Sequence, residues 1–212
     1  MFRWPVSIVQ YAVQNGANNF DEIAIEAAKS GHLYIVKYAV TKGATRYNSI
    51  AYYAAKHGYL NIVEYAVEKG ANNFDIITKY AAIGGHLIIV QYAVAHGANN
   101  FDEIAVEAAR KGHLDIVRFA IEKGARNYEQ IATQAARNGY LDIVKLVVGL
   151  GFNNYGLIAV NAAQHDQLDI VKYALKMGAR NYESIIVIAS KMDHLDVVRY
   201  LIGFIQSTRR YE

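Results

Sequence analysis

Gly97 to Lys123 reads GANNFDEIAVEAARKGHLDIVRFAIEK, and the fold follows from this 27-residue stretch. Copies of it begin at Gly16, Gly43, Gly70, Gly97, Gly124, Gly151 and Gly178, with no insertion or deletion between them. The leucine that opens the second half of the unit recurs as Leu33, Leu60, Leu87, Leu114, Leu141, Leu168 and Leu195. A strict period of about 20–50 residues marks a stacked repeat array. The full units are 16–42, 43–69, 70–96, 97–123, 124–150, 151–177 and 178–205. Residues 1–15 match the second half of a unit, and 206–212 form a short polar tail. No linker or low-complexity segment interrupts them, so 1–212 is expected to be a single domain.

Each unit predicts two helices. In the first, Phe20, Ile23, Ala24, Ala27 and Ala28 fall at helical spacing on one apolar stripe. Asn19 precedes that stripe as an N-cap, and Asn73, Asn100, Asn127, Asn154 and Asn181 repeat it. Glu22, Glu103 and Gln130 stand three residues after their asparagines, the spacing of a capping box. Gly31 is placed to end the helix in a left-handed conformation, with Asp166 and Asp193 taking that position in the last two units. The second helix is expected from about Leu33 to Lys42, with Leu33, Ile35, Val36, Ala39 and Val40 facing the core and Gly43 ending it. Too few residues then remain for a β-hairpin. The predicted fold class is an all-α helix–turn–helix repeat solenoid.

Composition narrows the function. Of the 212 residues 53% are hydrophobic, enough for a continuous core, and there is no cysteine, which removes disulfides and thiolate metal sites. The net charge of +3 is not concentrated: no unit exceeds one net charge, and the excess lies at Arg3 and in the tail. A nucleic-acid surface needs a basic stripe, so no nucleic-acid partner is expected. Arg3, Pro5, Ser7 and Gln10 break the apolar run that a signal peptide needs, and no stretch is apolar enough for a membrane span. An intracellular, cytoplasmic protein with no membrane partner is the expectation.

Four of the seven histidines, His32, His86, His113 and His194, occupy one turn position that Tyr59, Tyr140 and Gln167 share, so the repeat explains them. His57, His96 and His165 have no ligand at metal-binding spacing. No phosphate loop or nucleophile motif occurs. No catalytic residue, cofactor or metal is expected, and the chain reads as a non-enzyme.

Variation is more informative. Opposite the first-helix stripe, the outward residues are Glu22, Glu26 and Lys29, then Ser49, Tyr53 and Lys56, then Ile76, Tyr80 and Ile83. Further units place Glu103, Glu107 and Arg110, then Gln130, Gln134 and Arg137, then Leu157, Asn161 and Gln164 there. The third unit is the apolar one, and its Ile88 stands where others carry Asp. Exposed aromatic and aliphatic clusters mark interfaces. Tyr52, Tyr53, Lys56, Ile76, Tyr80, Ile83 and Ile88 are therefore the candidate partner-binding residues, with ordinary drift or self-contact as the competing explanation.

The stretch AARKGHLDIVRFAIEKGA, Ala108 to Ala125, resembles the helix–turn–helix of the ankyrin repeat, as does AAKSGHLYIVKYAVTKGA, Ala27 to Ala44. Ankyrin repeats typically have 33 residues, a hairpin loop and a Thr-Pro-Leu-His start; here both are gone. The resemblance is to short, hairpin-less ankyrin-like repeats of protists and large DNA viruses, which for a viral chain implies host cytoplasm or virion. It implies protein–protein recognition without catalysis, carried by the exposed side of the first helices. The alternative is a structural component that self-associates through the array ends. There Phe2, Trp4, Leu201 and Ile205 are the expected end contacts.

Overall fold

The computed structural model describes residues 15–208, all of whose regular structure is helical. The chain divides into two compact parts, Met1–Asn100 and Phe101–Glu212. The described residues of the first hold α1 (Phe20–Lys29), α2 (Leu33–Thr41), α3 (Tyr47–His57), α4 (Leu60–Glu68), α5 (Phe74–Gly84) and α6 (Leu87–Ala95). The second holds α7 (Phe101–Lys111), α8 (Leu114–Lys123), α9 (Tyr128–Arg137), α10 (Leu141–Gly149), α11 (Tyr155–Gln164), α12 (Leu168–Met177), α13 (Tyr182–Lys191) and α14 (Leu195–Thr208). Every 27-residue unit is thus one antiparallel helix pair, and no strand occurs among the described residues. Within each part the fold is that of an ankyrin-like helix–turn–helix solenoid.

The apolar stripes form the core as their spacing demands. Ile50, Ile62, Ile77 and Ile89 are buried in the first part, and Ile104, Ile116, Ile131, Ile143, Ile158, Ile170 and Ile185 in the second. Paired alanines such as Ala54 and Ala55, or Ala135 and Ala136, have no exposed surface, and their small size lets first helices of successive units pack closely. Burying such side chains supplies the main stabilising term.

The turn inside each unit needs glycine for two reasons. Gly58 adopts φ +85°, where a side chain is disfavoured, and a Cβ there would come within 2.6 Å of the His86 ring of the next unit. Tyr59, Tyr140 and Gln167 cover Gly31, Gly112 and Gly139 in the same way. Asp166 and Asp193 take the expected left-handed conformation, at φ 57° and 60°. In that last turn the His194 Nδ1 lies 2.8 Å from the Ala163 carbonyl of the preceding unit.

What replaces the hairpin between units is a hydrogen-bond clamp. Asp21 Oδ1 accepts from the backbone N–H groups of Thr45 and Arg46, at 2.7 and 2.9 Å. Asn48 does the same for Asn72 and Asn73, and Asp102 for Arg126 and Asn127. Asp75 accepts from Asn99. In each of the first four units one side-chain oxygen thus fixes the loop that starts the next first helix. For Gln130 this also corrects the capping-box expectation. The N-cap N–H of Asn127, which Gln130 would have accepted, is already taken by Asp102. The asparagine half of the motif survives: Asn73, Asn127 and Asn154 accept from the N–H three residues on. Asn19 and Asn181 make no such bond.

The clamp stops after Asp102. Glu129 holds the next equivalent position with one more methylene, and no hydrogen bond among the described residues joins it to Asn153 or Asn154. Gly156 follows, with no side chain to offer. There Asn181 Nδ2 donates instead to the Gly156 carbonyl at 3.2 Å, leaving Asn181 Oδ1 buried without a partner.

Candidate functional site

On the first part, α1, α3 and α5 place their outward positions side by side, because first helices of successive units pack against one another. The tyrosines of α3 and α5 meet there. Tyr52 and Tyr80 stack with centroids 4.8 Å apart and planes at 25°; Tyr53 lies 4.8 Å from Tyr52 and 6.2 Å from Tyr80. The Tyr52 hydroxyl donates to Ser49 Oγ at 3.2 Å. Lys29 reaches over from α1, its Nζ 4.5 Å from the centre of the Tyr53 ring and 2.6 Å from the Glu26 carboxylate. That carboxylate raises the pKa of Lys29, so the cation persists beside the ring. His57, at the end of α3, has its pKa lowered, first by burial and then by Lys56, His86 and Lys29.

The expected binding residues therefore fall into three environments. Tyr52, Tyr53, Ile76, Tyr80 and Ile83 are half-buried, Lys56 is exposed, and Ile88 is 68% exposed on the second helix α6. Tyr52, Tyr53 and Tyr80 form one cluster, to which Ile88, on the other helix of its unit, makes no ring or polar contact. Stacking between units covers part of each ring and leaves the rest open, so self-contact and exposure coexist. Tyr34, not among the expected residues, is 61% exposed at the corresponding place in α2.

In the second part the outward row is mostly polar, with Leu157 and Ile188 as its apolar members. Arg110 pairs with Glu107 on α7. Asn161, expected to face outward, is 5% exposed, because Arg137 Nε donates to its Oδ1 at 2.8 Å and its own amide donates to the Leu157 carbonyl. Of the expected end contacts, Leu201 is fully buried within its own unit and Ile205 half-buried, while Phe2 and Trp4 lie outside the described residues. Among the described residues no three histidine or acidic side chains are grouped to hold a metal, and no helix is long and apolar enough to cross a membrane.

Two features missed by sequence reasoning carry the most geometry. The clamp residues Asp21, Asn48, Asp75 and Asp102 recur 27 residues apart and were visible as a column. An aspartate in a helix's first turn is already accounted for by the helix dipole, so the column alone does not show a contact across units. The Tyr52–Tyr80 stack was hidden because the two lie at different positions of their units.

Fold and surface together define a class: a helix–turn–helix repeat scaffold whose variable side chains sit on a constant frame. Residues 132–209 match the family model of ankyrin repeats, in three copies, and the same 27-residue unit continues at unchanged spacing toward the N-terminus. No curated relative matches the chain. Ankyrin repeats are protein–protein interaction modules and typically non-catalytic.

Proposed function

We propose that this chain is a non-catalytic scaffold that binds a protein partner through the exposed face of its first helices, centred on Tyr53 and Tyr80. The observation that supports this most is the packed tyrosine cluster itself. Three rings already ordered against one another lose little side-chain freedom on binding, and part of each remains to be covered. Ile76 and Ile83 extend the apolar area along α5, and Lys56 provides a charged rim. Tyrosine anchors ringed by polar groups are the usual composition of a binding hot spot.

Co-purification from the native source identifies the partner by mass, and the interaction is then measured with variants. Tyr80→Ala is expected to weaken binding by about 1–2 kcal/mol with helicity unchanged. Unaltered affinity in both Tyr80→Ala and Tyr53→Ala would exclude this face.

A second reading, assembly through an array end, is favoured by a separate observation. Val187, Leu195 and Ile202 in the last unit are 46–53% exposed. Recovery of particle proteins or of further copies of this chain in the same co-purification would support it.

A further inference from the structure

The sequence Gly-Ala-Arg-Asn-Tyr occurs twice in the second part, at residues 124–128 and 178–182, each time leading into a first helix. At the first copy the backbone N–H groups of Arg126 and Asn127 hold a carboxylate, donating to Asp102 Oδ1 at 2.7 and 2.8 Å. At the second copy Gly156 stands in the place of Asp102. Here the N–H groups of Arg180 and Asn181 donate to no group among the described residues. Arg180 makes no ion pair among them either; its one hydrogen bond runs from Nη1 to the Ala179 carbonyl at 3.2 Å. The same five residues thus hold a carboxylate in one joint and none in the other.

The vacant joint has room and unmet polar groups. An open hollow of about 520 Å³ lies there, bordered by Gly156, Arg180 and Asn181. Asn181 leans into the space of the missing side chain: its buried, unpartnered Oδ1 would stand 3.2 Å from a Cβ on Gly156. At the filled joint the matching oxygen of Asn127 accepts instead from the Gln130 N–H at 3.2 Å. An incoming carboxylate lets Asn181 turn to the Ser184 N–H in the same way. Both free N–H groups, the guanidinium and the orphaned oxygen are then satisfied together. Glu183 lies in the first turn of α13 as Glu129 does in α9, and Glu129 does not keep Asp102 away.

The geometry points to a carboxylate-binding site at the start of α13. The N–H groups of Arg180 and Asn181 take the oxygen that Asp102 supplies to the other copy, and the Arg180 guanidinium pairs with the charge. In every clamped joint the acceptor arrives on a stem of one methylene, from Asp21, Asn48, Asp75 or Asp102. The ligand that fits is therefore an aspartate side chain of a protein partner; a free small acid presents the same group. This site belongs to the second part and does not depend on the tyrosine cluster.

Amide NMR of the whole isotope-labelled chain, titrated with acetate and separately with sodium chloride at equal ionic strength, provides the test. Acetate should give saturable shifts at Arg180, Asn181 and Ser184, with a dissociation constant of about 10–100 millimolar. Arg126 and Asn127, whose joint is already filled, should not move. Aspartate blocked as its N-acetyl α-amide separates the sources: tighter binding than acetate identifies a protein side chain, weaker binding a free acid, and either supports the site. Gly156→Asp supplies the carboxylate from the chain itself and should abolish the saturable shifts. Arg180→Gln should raise the dissociation constant about threefold or more, with circular dichroism confirming helicity in both variants. Equal shifts with chloride, shifts without saturation, or undiminished binding in either variant with helicity intact overturns the site. None of these results bears on binding at Tyr80.

Discussion

In the first four units a single side-chain oxygen decides how each meets the next. Asp102 Oδ1 holds the N–H groups of Arg126 and Asn127 at 2.7 and 2.8 Å, charge-assisted bonds at the start of a helix. Asp102→Ala should destabilise the fold by about 1–2 kcal/mol, the lower part of the range because the site is open to water. Asp102→Asn should cost less, since Asn48 performs the same task without a charge. Lys145→Ala, which removes an exposed pairing with Asp142 at 3.6 Å, is the control in the same urea titration. His57 gives a second residue-scale expectation. Its pKa is lowered in the folded state, so its contribution is complete above its unfolded value and is lost as the pH falls through the folded value. Stability should therefore decline on acidification from about pH 7 to about pH 5, and His57→Gln should reduce that slope. An equal slope in the variant would exclude His57 as its source.

Among the helices, α11 and α13 start without the clamp that fixes α3, α5 and α9. Gly156→Asp should restore it at α13. A Cβ at Gly156 would stand 3.2 Å from Asn181 Oδ1, so the asparagine must turn back to cap its own helix, where Asn73, Asn127 and Asn154 already sit. Replacing a helical glycine and regaining those bonds should stabilise the second part by about 1–2 kcal/mol. A lowered urea midpoint in Gly156→Asp would show that Asn181 has no room to move. The helix pairs were legible in the sequence because stripe, glycine and period agree at every unit. Asp166 and Asp193 were legible as left-handed residues for the same reason: the column defines the conformation and the residue types tolerate it. The clamp was not legible, since an aspartate in a first turn is already explained by the helix dipole. The site was legible only as a face. Periodicity identifies which residues point outward, but which rings meet depends on the offset between neighbouring helices. Asn161 was misplaced because its partner, Arg137, lies one unit away.

Across the molecule, stability in a repeat array is a sum over units and their nearest-neighbour contacts. Removal of residues 43–69 would bring Asp21 to the loop of Asn72 and Asn73 in place of Thr45 and Arg46, with the same atoms in reach. That shortened chain is expected to fold with unchanged helicity per residue while losing partner binding, because Tyr52 and Tyr53 go with it. Removal of 43–68 shifts every later stripe by one residue and is expected not to fold. Circular dichroism and thermal unfolding of the two deletions check this; equal behaviour would show that the joint does not set the spacing. The clamp thus has a meaning for inheritance as well as for stability. A joint made from one side-chain oxygen and two main-chain N–H groups accepts almost any sequence on its receiving side: Thr-Arg, Asn-Asn and Arg-Asn all occur there. Copying or losing one whole 27-residue segment among the first four units keeps the chemistry of these joints, so such a change in unit number is tolerated where a change of phase is not.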